Sequence, residues 1–286
     1  MMTIPVFYSG RMNANVDSLS PSAAKPALVV ASWLEKQFQI ELIEPRAVAD
    51  SDIKLVHDPA YVDAIFSGKT RNAFGNNSLE VAHTFPFTVG SMLDAAMRAL
   101  DNGKVAVAPC SGFHHASYGV GRGFCTFNGL MITAMKLKQV GRIDRIGILD
   151  FDMHYGDGTA QLIEQHHAAD WIEHYTAGRE YQSRYQATEF LERIPEMVSE
   201  MRDCDLILYQ AGADPHVNDP LGGFLTTEQL QLRDRLVFAT AKKLAVPIAW
   251  NLAGGYQEDA SGGIRPVLDI HDNTMLECVW VYASGL

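Results

Sequence analysis

The chain has 286 residues, 47% hydrophobic and 20% charged, which is enough apolar material for one large α/β domain or two smaller ones. A formal charge of −11 and a pI near 5.3 argue against nucleic acid or an anionic membrane as partner, and favour a cationic or neutral small molecule. No run approaches about 18 uninterrupted apolar residues, "MMTIPVFYSG" lacks the start of a secretory signal, and the four scattered cysteines form no CxxC pair, so a cytoplasmic chain with reduced thiols is expected.

In chain order the apolar run "IPVFYS" is followed by a helical pattern over about 22–37, then "QIELIEP", then helical patterns over about 58–67 and 87–101. After "KVAVAPC" come a helix over about 127–139, the run "RIGILDFD", and a helix over about 157–167. "WIEHYTA", a helix over about 187–201, "LILYQAGAD", a helix over about 227–244, "VPIAWNLAGG" and a last helix near 263–281 complete the alternation. Strands that are nearly all apolar, separated by helices, predict a parallel β-sheet flanked by helices on both faces in an α/β fold. No linker or repeat divides residues 1–286, so one domain is expected.

Polar chemistry collects at the carboxyl ends of three predicted strands, the edge where open α/β sheets bind ligands. In "ILDFDMHYGDGT", Asp150 and Asp152 alternate with Phe151 and His154 keeps the phase, which puts all three on one face of a strand. Taken alone, this stretch is equally open to a core ion pair and a helix-capping Asp157. Asp214 in "QAGADPHVNDPLGG" changes the balance. With Asp152 and His154 it makes a two-carboxylate, one-imidazole set that suits catalytic zinc and also admits ferrous iron. His114 and His115 stand just beyond "KVAVAPC", where Asp150 and Asp157 can each orient one imidazole. Tyr256 follows two glycines at a third strand end, where a phenol can donate to a developing oxyanion.

Taken in order, the segments HH, GFCxFN, DxDxHxGDGT, GADPxxxDPLG and GGY resemble the zinc-dependent histone deacetylase superfamily, which includes bacterial acetylpolyamine amidohydrolases and acetoin-utilisation proteins. The match runs from Val107 to Tyr256, and "HDPAYVDAI" from His57 to Ile65 is also similar. The resemblance implies an arginase/deacetylase-type fold and one catalytic zinc on Asp152, His154 and Asp214. It also implies a general base at His115 paired with Asp157, an electrostatic partner at His114 paired with Asp150, and an oxyanion donor at Tyr256. Gly123 and Phe124 match residues that wall the acyl-lysine channel. The segment with Asp150, Asp152 and His154 resembles a family potassium site built partly on backbone carbonyls.

The chain departs from the family pattern at several points. Phe113 and Tyr155 stand where the family usually has Gly and His, and the segment "SLSPSAAKP" lacks the family's His-Pro-Glu-type opening. The short span between Asp157 and Asp214 omits a loop that walls the channel, which implies a wide or shallow mouth. Asn76 and Asn77 fall where many members carry an acidic residue that grips a peptide, which counts against a peptide substrate. The stretch "WIEHYTAGREYQSRYQ" reads as exposed aromatics at an interface or a pocket rim, and the oligomeric state stays open.

The reading that follows is a metal-dependent amidohydrolase removing an acyl group, most simply acetyl, from an amine nitrogen, with acetyl-lysine, an acetylpolyamine or another small acylated amine as substrate. Three alternatives remain: a deacylase for longer acyl chains or another small amide, a noncatalytic small-molecule binding protein, and a binuclear manganese hydrolase of arginase type. The last needs more bridging carboxylates than the sequence supplies.

Overall fold

The computed structural model describes residues 3–15 and 20–283. Ser18 and Leu19, which begin the segment "SLSPSAAKP", lie outside the described residues. Seven strands form one sheet: β1 (Ile4–Phe7), β2 (Ile40–Ile43), β3 (Val105–Ser111), β4 (Ile146–Asp150), β5 (Ile172–Thr176), β6 (Leu206–Gly212) and β7 (Ile248–Ala253). Their spatial order is β2-β1-β3-β7-β6-β4-β5, and every pairing is parallel. The last strand of the chain therefore lies in the middle of the sheet.

The apolar runs of the sequence become strands because both faces of the sheet are covered. Along β6, Leu206 and Leu208 belong to one core, while Ile207 and Tyr209 belong to the other. The first core is closed by helices α3 (Pro59–Phe66), α5 (Phe85–Asn102), α6 (Gly129–Gln139) and α7 (Asp157–Gln165), with the four-residue helices α2 (Asp50–Ile53) and α4 (Leu79–Ala82) at its border. The second is closed by α1 (Lys25–Glu35), α8 (Ala187–Glu200), α9 (Thr227–Leu244) and α10 (Arg265–Tyr282), which supply Trp33, Phe190, Phe238 and Met275. The fold class expected from the sequence is the one found.

Local signals set the helix limits. Helix α9 begins at a capping box in which Thr226 Oγ1 accepts from Gln229 N at 3.3 Å and Gln229 Oε1 accepts from Thr226 N at 2.9 Å. Helix α5 stops where Gly103 takes φ 64°, which costs glycine nothing. The short α2 and α4 were not foreseen, since four residues carry no readable period. Tyr181 corrects another expectation: within the aromatic-rich stretch it is only 1% exposed and packs in the core against Phe190, at 5.0 Å between ring centroids, whereas Tyr185 is 92% exposed.

Candidate active site

The expectation that Asp150, Asp152 and His154 continue one strand face needs correction. Strand β4 ends at Asp150, and the backbone then curls through two side-chain-stabilised turns. Asp150 Oδ1 accepts from Asp152 N at 3.2 Å, and Asp152 Oδ1 accepts from His154 N at 2.9 Å. Aspartates favour such turns because a short carboxylate reaches the amide two residues on. The curl carries Asp152 and His154 over the sheet edge toward Asp214, which lies two residues past the end of β6.

There, His154 Nδ1 stands 3.1 Å from Asp152 Oδ1 and 3.0 Å from Asp214 Oδ2. One ligand atom from each residue lies within 4.8 Å of the others, and no other such group of three is found among the described residues. Burial, followed by the charge of Asp152, pushes the Asp214 carboxyl up to about 7. Hydrogen bonds to both carboxylates push the His154 imidazole up to about 10. Two buried carboxylates beside one imidazole repel each other until a positive charge sits between them, so the donor set fits a divalent cation of the kind that takes oxygen and nitrogen ligands.

The two histidine pairs sit against this group. His114 Nδ1 lies 2.7 Å from Asp150 Oδ2, and Asp150 Oδ1 also accepts from Gln210 Nε2 at 2.9 Å. His115 Nδ1 lies 2.6 Å from Asp157 Oδ1, so Asp157 begins α7 with its carboxylate turned to the histidine, not to the helix amides. A carboxylate at Nδ1 keeps the neutral ring's proton there and leaves Nε2 as the lone pair. Burial opposes charge on His114, but the Asp150 and Asp152 carboxylates outweigh it and raise the imidazole to about 9. Burial and the neighbouring His114 push His115 below its ordinary value despite Asp157. The two rings, with centroids 4.0 Å apart, are thus biased to opposite protonation states.

The loop that carries the pair is fixed from below. Thr159 N donates to His114 O at 2.9 Å, and Asn128 Nδ2 donates to Thr159 Oγ1 at 3.0 Å. His57 spans the same loop: Nδ1 donates to Ser117 O at 2.9 Å, and Nε2 accepts from Asn128 N at 2.9 Å. This is the segment whose likeness to the family extends beyond the main match.

His114, His115, Gly123, Phe124, Asp152, His154 and Tyr256 line one cavity of about 150 Å³. Asp150, Asp157 and Asp214 stand behind them. Gly123 has φ 50°, and a Cβ there would lie 3.0 Å from His115 Cγ. The Phe124 ring faces Tyr256 with centroids 5.9 Å apart. Tyr256 N donates to Asp219 Oδ2 at 2.8 Å, and burial, then the charges of Asp152 and Asp214, push its phenol well above the ordinary range. It therefore stays a proton donor. Asn76 and Asn77 instead close their own loop, Asn76 Oδ1 accepting from Asn72 Nδ2 at 2.7 Å and Asn77 Nδ2 donating to Gly68 O at 2.8 Å.

A family model described as the histone deacetylase domain matches residues 19–183 and 169–264. An uncharacterised protein of Picosynechococcus is 30% identical over 77% of this chain and 80% of its own length. The chain belongs to the histone deacetylase family. Histone deacetylase 2 of Arabidopsis thaliana is 26% identical over 86% of this chain and 70% of its own. In three dimensions the chain is similar to the acetylpolyamine aminohydrolase of Burkholderia pseudomallei, with a TM-score of 0.75 at 18% identity over 98% of this chain and 99% of that one. That likeness establishes the arginase/deacetylase-type fold, and family membership supports amide deacylation as the general chemistry.

Within this family member, sequence reasoning missed Lys25. Its side chain is fully buried, Nζ donates to Gly254 O, and burial lowers the ammonium to about 8 against the pull of Asp214 and Asp152. Nothing marked it, because a lysine at the start of an amphipathic helix ordinarily points to solvent. Asp219 was also missed, although it lies inside the quoted GADPxxxDPLG segment. Among the described residues, no helix is long and apolar enough to cross a membrane.

Proposed function

We propose that this chain is a metal-dependent amidohydrolase that removes an acyl group, most simply acetyl, from the nitrogen of a small amine or an acetyl-lysine side chain. The observation that carries the reading is that Asp152 and His154, with Asp214 directly behind them in the donor set, open onto the same cavity as His115 and Tyr256. A divalent ion there, zinc by family habit and ferrous iron by donor type, would polarise the amide carbonyl and acidify water. The chain's own groups do the rest.

His115, kept neutral by burial and by His114 and oriented by Asp157, takes the water proton at Nε2 and returns it to the leaving nitrogen. His114, biased toward its charged form by Asp150, offsets negative charge beside it. The Tyr256 phenol donates to the carbonyl oxygen as that oxygen gains charge, from a backbone fixed by Asp219. Phe124 and Gly123 shape the cavity wall. The acetylpolyamine aminohydrolase that shares the fold supports a small acylated amine as substrate.

A second reading, an acyl chain longer than acetyl, is favoured by a small cavity of about 40 Å³ that shares Ser22, Ser111, Gly112 and Phe124 with the first. It is walled by Phe74, Phe85, Phe113 and Phe127.

The deciding measurement is acid release by zinc-loaded protein from acetylated polyamines, acetyl-lysine peptides and small amines carrying acetyl, propionyl or butyryl, with Asp152→Ala as blank. Release from one group names the substrate class, and a preference for butyryl selects the second reading. Silence across the panel, with zinc shown to be bound, refutes the amidohydrolase.

A further inference from the structure

Behind the cavity, helix α9 buries an adjacent pair of opposite charges. Arg233 and Asp234 are both 0% exposed, and Arg233 Nε donates to Asp234 Oδ1 at 2.9 Å. Asp234 is further held by the hydroxyls of Tyr209 at 2.5 Å and Thr274 at 2.6 Å. The other limb of the guanidinium is turned toward the sheet edge. Arg233 Nη1 donates to two backbone carbonyls, Phe151 O at 3.2 Å and Gly212 O at 2.6 Å.

Those carbonyls are distinctive in position. Phe151 immediately precedes Asp152, and Gly212 lies two residues before Asp214. Both sit where the chain leaves the sheet, β4 having ended at Asp150 and β6 ending at Gly212. The two segments are also in hard contact: a Cβ on Gly212 would lie 2.6 Å from Asp152 Cα and 2.7 Å from Phe151 O.

Stability alone is a poor explanation for the pair. Apolar residues of similar volume often replace a buried ion pair without loss, because taking two charges out of water costs about what their attraction returns. What apolar residues cannot do is join two carbonyls. A guanidinium is a rigid, permanently charged fork that does so at fixed spacing.

We infer that Arg233 is a positioning residue for the metal-ligand set, its guanidinium clamping the Phe151 and Gly212 carbonyls and so fixing the separation of Asp152 from Asp214. The inference rests on reading Asp152, His154 and Asp214 as metal ligands. It assigns α9 a part in cation binding although no residue of α9 contributes to the donor set.

The test uses the full chain as wild type, Arg233→Lys, the doubly substituted Arg233→Met with Asp234→Leu, and Arg235→Ala as a control on the same helix. Zinc affinity is read by competition with a chromophoric chelator, ligand geometry by the visible absorption of the cobalt-substituted protein, and folding by circular dichroism. Loss of an outer partner to a ligand commonly costs about 10–100-fold in metal affinity. We expect a fall in that range and a shifted cobalt band for both Arg233 variants, with Arg235→Ala unchanged.

Wild-type affinity and an unaltered cobalt spectrum in either folded variant overturn the clamp. So does failure of both variants to fold, which would make the pair a requirement of the fold and nothing more specific. Failure of wild type to bind zinc at all refutes the metal site itself, and that result is distinguishable from the others.

Discussion

His115 and Tyr256 face one cavity with opposite proton habits, and each habit has a nameable cause. Burial and two carboxylate charges keep the Tyr256 phenol protonated, so Tyr256→Phe removes a donor without disturbing the Asp152, His154 and Asp214 set. Loss of one such donor typically costs about 10²–10³ in kcat. We expect that loss with zinc content unchanged; turnover equal to wild type would remove Tyr256 from the oxyanion role. His115 must be neutral to accept a proton, and its value is depressed by burial and by His114. The acid limb of kcat/KM is therefore expected below the ordinary imidazole value of about 6.5. Asp157→Asn removes an influence that raises it, so the limb should move to still lower pH while the maximum rate falls. A limb displaced upward would contradict the pairing.

At the scale of elements, α7 is pressed against the histidine loop. A Cβ on Gly158 would lie 2.5 Å from both Ala116 O and His115 C. Gly158→Ala therefore has to move the helix or the loop, and such overpacking costs about 1–3 kcal/mol. Urea unfolding should show that loss together with reduced turnover; a variant as stable and active as wild type would mean that the contact is soft. The helix and its neighbours were largely legible in advance. Helix α9 follows the period over about 227–244, and β6 and β7 follow their apolar runs, because elements buried on a whole face write that burial into their sequence. Turns write less. The path after Asp150 depends on which amide each aspartate captures, and Asp157 looked equally fit to cap a helix or to hold a histidine. Only residues distant in sequence decide such choices. Lys25 and the Arg233 limb that reaches the sheet edge were illegible for the same reason, since their partners there are backbone carbonyls that carry no sequence signal.

At the scale of the whole molecule, buried neutral histidines, His57 and His174 among them, tie stability to pH. Burial first, and in part the nearby His166, lowers His57 to about 4 against its bonds to Ser117 and Tyr118. Burial likewise lowers His174 to about 4. In the unfolded chain both would titrate near 6.5. Between those values the unfolded state holds more protons, so the stabilisation is complete above about 6.5 and is lost as pH falls toward 4. Tm should drop across that window, and more shallowly in His57→Asn; a slope unaltered by that change would mean that the imidazole is already charged in the folded state. The charge of −11 also acts at this scale. If the substrate is cationic, kcat/KM should decline with added salt as long-range attraction is screened.

The position of β7 bears on how the molecule comes into being. In space β7 separates β3 from β6, yet it is synthesised after both. A nascent chain lacking it holds two half-sheets, each with an open edge of buried-type residues, and nothing to join them. The candidate active site spans that same seam, with His114 and His115 following β3, Asp214 following β6 and Tyr256 following β7. Chains that stop before residue 248 should therefore aggregate rather than accumulate as partly active fragments, and the seam closes only when β7 arrives.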